Sequence, residues 1–260
     1  MNMHSAPLSG APIPTLVILG IPVARIAWAD AIQHLRGLLR EKRYTKIGFL
    51  NAHNANVACS DPTFARALQG FLVLPDGVGV DIAAKFLYGE PFPSNLNGTD
   101  FVPHLIASAT EPLKVALLGT TRKNAEGALA ALAALAPIHS YELIHDGFFS
   151  PAEEPEVLDR IRGMRPDILL VAMGVPRQEL WIERNLGPAY CTLPIAVGAL
   201  LDFLSGAVPR APVWVRHLRL EWLFRLVVEP GRLWRRYVVG NPLFLVRVFF
   251  QRLRAGRAGT

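Results

Sequence analysis

Cysteine is almost missing from this 260-residue chain: Cys59 and Cys191 are the only two. That is too few for a disulfide framework, and the pair lacks the spacing of a metal site. Such usage suits a reducing cytoplasm. A hydrophobic run of membrane-spanning length is missing too. The first apolar stretch, TLVILGIPVARIAWA, is bounded and broken by Pro14 and Pro22 and falls short of the roughly 20 residues a spanning helix needs. Ala27-Trp28-Ala29 imitates a leader-peptidase site, but no Lys or Arg precedes the run, as a signal peptide requires. The stretch reads as a first β-strand.

Several chemical signatures are also missing. The G-x-G-x-x-G and G-x-x-x-x-G-K-[ST] patterns, D-x-D, H-E-x-x-H and G-x-S-x-G do not occur, and the seven histidines are scattered. A nicotinamide oxidoreductase thereby loses its fingerprint, and a serine hydrolase or zinc protease loses its motif. No metal site and no cofactor are expected. If a diphosphate is handled, arginines and helix N-termini must supply the counter-charge.

What is present is an apolar content of 51%, ample for a sizeable core. Short apolar runs (TLVILGI, KIGFLNA, FLVLPDG, LKVALLGT, YELIHDG, DILLVAMG, LPIAVGA) alternate with helical patterns such as WADAIQHLRGLLREK, VDIAAKFLYG, the alanine-rich 124–135 and RQELWIERNLG. This alternation predicts a Rossmann-like α/β fold, a mostly parallel sheet with helices on both faces. Residues 1–14 read as a loose arm, 15–209 as the catalytic domain and 210–260 as a helical appendage. Ligands in such folds gather where strands end and helices begin.

The appendage carries most of the charge. Residues 210–260 hold eleven arginines against Glu221 and Glu229, a balance of +9, so that a total of +6 leaves −3 for the rest. That asymmetry points to an anionic partner met mainly by this end. The first helix, with Arg216, Arg219 and Arg225, is apolar nearly all round; Glu229-Pro230-Gly231 should end it. In the second, Arg232, Arg235 and Arg236 share one face and Leu233, Trp234, Tyr237 and Val238 the other. Arginine with aromatics suits nucleic acid, an anionic membrane or an active site. No nucleic-acid motif accompanies it, so nucleic acid is not expected as a partner.

Three strand ends carry polar groups that a buried sheet does not need: Asn51, His53, Asn54 and Asn56 after FL; Asp76 in LPDGVGVD; Gly174, Arg177 and Gln178 at the opening of a helix. Each is also a natural turn or N-cap residue. Asp76 stands out because small neighbours leave room for a ligand and proline fixes its backbone, which suits a general base. ALLGTTRKNAEG has the shape of a phosphate-holding turn without its full motif.

Four ordered blocks, LPDGVGVDIAAKFLYG, GVPRQELWI, VGALLDFLSGAVPRAPVW and LEWLFRLVVEPGRLWRRYVVGNPLFL, make the chain resemble the WecG/TagA/CpsF family of bacterial glycosyltransferases over roughly residues 15 to 250. FPSNLNGTDF looks closer to the exopolysaccharide branch, typified by the xanthan-assembly glucosyltransferase GumM. The resemblance implies an inverting hexosyltransferase that moves a glucose- or N-acetylmannosamine-type sugar from a UDP-sugar to a polyprenyl-diphosphate-linked sugar, peripheral on the inner face of the plasma membrane. It places the catalytic base on Asp76, substrate-pocket residues on Asn51 and Gln178, and diphosphate-reaching arginines on Arg225, Arg232 and Arg235. An anionic membrane surface and a homo-oligomer are the further partners it suggests. Phe49 stands where many members have Thr, and Asn95 in the region where many have Arg. The rival readings are a basic adaptor with Asp76 as a turn residue, and an oxidoreductase on the same fold.

Overall fold

The computed structural model describes residues 13–212, 214–215 and 220–258. The expected arm, apart from its last two residues, lies outside that range, as do Arg216 and Arg219. The first apolar run is not one strand of the main sheet. Leu19 and Gly20 take φ of 50° and 83°, turning the run back on itself, so β1 (Thr15–Ile18) and β2 (Ile21–Ala24) form a separate antiparallel hairpin.

The main sheet has six strands: β3 (Ile47–Leu50), β4 (Leu72–Pro75), β5 (Lys114–Gly119), β6 (Ser140–His145), β7 (Ile168–Ala172) and β8 (Leu193–Ala196). Their order is β4-β3-β8-β7-β5-β6 and every pairing is parallel. Period-two alternation divides their side chains between two cores. Leu169 and Val171 of β7 face one side with Leu50, Ala116 and Leu118. Ile168, Leu170 and Ala172 face the other with Ile47, Phe49, Val115 and Leu117. Helices α1 (Trp28–Arg40), α5 (Gly98–Ala107), α6 (Arg122–Leu135) and α9 (Leu200–Leu204) cover the second face. Helices α2 (Ala52–Ser60), α3 (Pro62–Leu68), α4 (Val78–Tyr88), α7 (Glu154–Met164) and α8 (Arg177–Asn185) cover the first. The fold is thus the expected Rossmann-like one. β3 and β8 are neighbours joined in register only at Ile47 and Ile195. After β3 the chain passes to the first face and after β8 to the second, and in such folds ligands bind in the crevice outside the carboxyl ends of strands that part in this way.

Residues 220–258 fall into two parts. α10 (Glu221–Val228) and α11 (Pro230–Trp234) meet at the expected proline break, and a π-helical turn, Arg235–Val239, leads into α12 (Gly240–Ala258). α12 belongs to the body. Phe244 and Val248 are 1% and 2% exposed and sit in the core under α2 and α4. Phe244 comes so near that a Cβ on Gly79 would lie 3.8 Å from its ring and 3.3 Å from Ala52. On the same face Arg247 Nη1 donates to Asn56 O and Oδ1, Gln251 Nε2 to Val17 O, and Arg252 Nη1 to Leu87 O, at 2.7–3.0 Å. The opposite stripe, Val246, Phe249, Phe250 and Leu253, is exposed.

Candidate active site

Asn51 ends β3 and caps α2. Its Oδ1 accepts from Asn54 N at 3.0 Å, which leaves Nδ2 to donate to Asp76 Oδ2, also at 3.0 Å. The expected cap role thus falls to the oxygen of this amide, while its nitrogen reaches Asp76. Asp76 follows β4, with its N–H on Leu50 O at 2.9 Å. Gly77 then takes φ of 90°, a conformation that suits glycine, and its N–H donates to Asn95 Oδ1 at 2.8 Å. Asn95 thus ties down the loop beside Asp76. Phe49 is buried, and a Cβ on Gly98 would sit 3.1 Å from its ring. The larger side chain at this position is accommodated by a glycine at the start of α5.

Asp76 is half-buried. Burial raises its pKa, against the hydrogen bond from Asn51 and the charges of Arg236 and Arg225; Asp100 adds to the rise. His53, in the first turn of α2, is pushed down to about 4 by burial and by Arg236, so its imidazole is neutral at physiological pH. Around these lies a network that the sequence pattern did not reveal. Arg210 Nη2 bonds Asp100 Oδ1 at 2.7 Å. Burial raises Glu221, and Arg210, Asp100, Asp76 and Arg225 all act on it. Arg210 and Asp100 also line a recess with Thr99, Leu200 and Phe203. Residues from α5, α10 and the π-helical turn are therefore brought to the end of β4.

The tail arginines divide. The Arg225 guanidinium lies 5.1 Å from the Phe203 ring centroid, and its buried Nε has no hydrogen-bond partner among the described residues. Arg235 is exposed, over the Trp234 ring at 5.4 Å. The Arg232 side chain lies outside the described residues. The expected single arginine face is split here: Arg236 goes inward toward Asp76 and His53 while Arg235, where the π-helical turn begins, is exposed. The expected apolar face is split likewise, with Leu233 buried and Trp234 and Val238 exposed.

Gln178 opens α8 after Gly174, whose φ is 80°, and a cis Val175–Pro176 bond. It is only 2% exposed. Its Oε1 accepts from Gly198 N at 3.1 Å and its Nε2 donates to Glu179 Oε1 at 2.8 Å. Gln178 lies beneath the turn after β8 and not on the open surface of the crevice. At the end of β5, Thr120 Oγ1 and Asn124 Nδ2 both donate to Asp202. Gly119 is required beside them, because a Cβ there would meet Ala172 O at 2.3 Å. Among the described residues, no three His, Cys, Asp or Glu side chains gather where they could hold a metal ion.

This arrangement brings the Asp76 carboxyl under the charges of Arg225 and Arg236 at the ends of the central strands. A Staphylococcus aureus protein named N-acetylglucosaminyldiphosphoundecaprenol N-acetyl-beta-D-mannosaminyltransferase is 26% identical over 235 residues, 89% of this chain and 91% of its own. A protein of that name from Bacillus spizizenii is 32% identical over 195 residues, 74% of this chain and 73% of its own. Residues 16–258 match the sequence profile described as the glycosyl transferase WecG/TagA/CpsF family. With nearly the whole chain covered, this protein belongs to that family and is a glycosyltransferase.

Proposed function

We propose that the enzyme transfers a hexose, of the N-acetylmannosamine or glucose type, from a UDP-sugar to a sugar on a polyprenyl diphosphate, in the assembly of an exopolysaccharide or other cell-surface polysaccharide. The names of the relatives support the lipid-linked acceptor and an N-acetylmannosaminyl donor. Phe49 and Asn95 keep UDP-glucose as the donor to compare. The reading is carried by one observation. Asp76 is held by Asn51 and faces the charges of Arg225 and Arg236, which come from the other end of the chain.

In the mechanism, Asp76 takes the proton from the acceptor hydroxyl as that oxygen forms its bond to the anomeric carbon. The bond to UDP breaks on the opposite face, which inverts the centre. Burial gives Asp76 more proton affinity than an exposed aspartate, which improves a base at neutral pH. Arg225 and Arg236 stabilise the negative charge that builds on the departing diphosphate. Arg232 and Arg235 remain candidates for the same diphosphate on the strength of the resemblance. Asn51 orients Asp76, and Gln178 supports the turn after β8.

The exposed stripe Val246, Phe249, Phe250 and Leu253 continues onto α4 through the Phe86–Phe249 ring contact at 6.3 Å. We assign this surface to an anionic bilayer, with the arginine-rich end attracted to its headgroups. No helix among the described residues is long and apolar enough to cross a membrane. The test of the whole reading is to incubate the protein with UDP-N-acetylmannosamine or UDP-glucose and a short-chain polyprenyl-diphosphate N-acetylglucosamine, and weigh the lipid product. One added hexose is expected with one donor. An unchanged lipid mass with both donors overturns the reading.

A further inference from the structure

Helix α8 begins Arg177-Gln178-Glu179, and the last two side chains are 2% and 1% exposed. In an amide only the oxygen accepts and only the nitrogen donates. With Gly198 N on Oε1 and Glu179 Oε1 on Nε2, the two neighbours select the same orientation of Gln178. Gly198, at φ of 56°, lies in the turn from β8 into α9. In the sheet β8 is next to β3, whose end carries Asn51. A line of contacts therefore runs from Glu179 through Gln178 to the turn after β8, the strand beside β3.

Glu179 is expensive to bury. Its Oε2 has no hydrogen-bond partner among the described residues. Burial pushes the carboxyl up to about 7, opposed only by hydrogen bonds from Gln178 and its own backbone. No charged side chain is among those influences, and an apolar residue of the same size would fill the space at lower cost. A carboxyl kept under those conditions next to a crevice marks a functional requirement.

We infer that Glu179 is a positioning residue: by holding the amide nitrogen of Gln178, it keeps Gln178 Oε1 on Gly198 N and fixes the turn after β8, the strand beside the one that Asn51 follows. What the turn serves rests on the proposed sugar transfer; the contact itself does not.

Two variants of the full chain test this, Glu179→Leu and Glu179→Gln, each read by hydrogen exchange at the Gly198 amide and by kcat and KM for the UDP-sugar. Leucine removes the acceptor, so Gly198 should exchange at least about tenfold faster and kcat fall by a similar factor, with KM within about threefold of the parent. Glutamine restores an oxygen that accepts the same N–H, and should return both readouts to within about threefold of the parent. Parent-like Gly198 protection in the leucine variant overturns the inference, as does equal loss in both variants. If the leucine variant does not fold, the glutamine variant decides alone: loss of Gly198 protection or of kcat there is contrary. If the parent itself transfers no sugar, the proposed function fails, while the exchange measurement still judges the contact.

Discussion

Asn51 satisfies two demands with one side chain: its oxygen caps α2 and its nitrogen holds Asp76. Serine keeps a good cap but cannot reach the carboxylate. Asn51→Ser should therefore change unfolding free energy by no more than about 1 kcal/mol while lowering kcat about tenfold, the worth of a hydrogen bond to a charged group. Denaturant melts and turnover separate the two effects; a parallel loss of both would make Asn51 a cap alone. Glu179 gives a prediction of opposite kind. Burial pushes its carboxyl up to about 7, above the ordinary 4.5, so the folded state holds the proton more tightly. Its contribution to stability is full below the unfolded value and is lost as pH rises through the folded one. Relative to the parent, Glu179→Gln should gain about 3 kcal/mol of stability between pH 4 and pH 8. A constant difference across that range would contradict the buried-acid assignment. At this scale Asp76, Asn51 and Gln178 were legible because strand ends followed by Pro, Gly and Asn announce themselves. Glu179 was not, since an acidic residue in the first helical turn is ordinary.

The helices of the tail show where local pattern stops being informative. Pro230 marked the break between α10 and α11, and the structure has it there. The i, i+3, i+4 reading of Arg232, Arg235 and Arg236 assumed a regular α-helix, and the π-helical turn over Arg235–Val239 defeats that assumption. Nothing in RRYVV signals a π-turn, because the turn depends on how α11 and α12 are anchored. The consequence is measurable. Arg236→Ala should reduce kcat/KM by roughly 10²-fold, the order seen when a transition-state donor is removed, and more than Arg235→Ala. Equal effects, or the reverse order, would return the inward role to Arg235. Other elements were hidden for different reasons. The β1–β2 hairpin lay inside a single apolar run, with Gly20 at its turn and Pro22 just after it. α5 contains Pro103 and so lacks a clean helical reading.

For the whole molecule, the alternation of buried runs and helices was enough to give the parallel sheet, because strands covered on both faces must be continuously apolar. The meeting of Asp76 with Arg225 at the far end of the chain was implied by the family resemblance and not by any local pattern, since it depends on α12 docking Phe244 and Val248 into the core. That docking has a practical consequence: truncation after residue 209 would strip Phe244 and Val248 from the core, with the buried Leu233, so point variants are the better probes. The outer stripe of α12 is exposed, and replacing Phe249 and Phe250 together by Ser should leave folding intact. It should weaken binding to phosphatidylglycerol vesicles at least about tenfold, given about 1.5–3 kcal/mol for each buried phenylalanine. Unchanged vesicle affinity would remove this face from the membrane. The most direct measurement is single-turnover sugar transfer by Asp76→Asn at saturating UDP-sugar and lipid acceptor, alongside the dissociation constant for the donor. A base at position 76 requires a rate about 10²–10⁴-fold below the parent with donor affinity nearly unchanged; transfer at the parental rate would mean that the proton goes elsewhere.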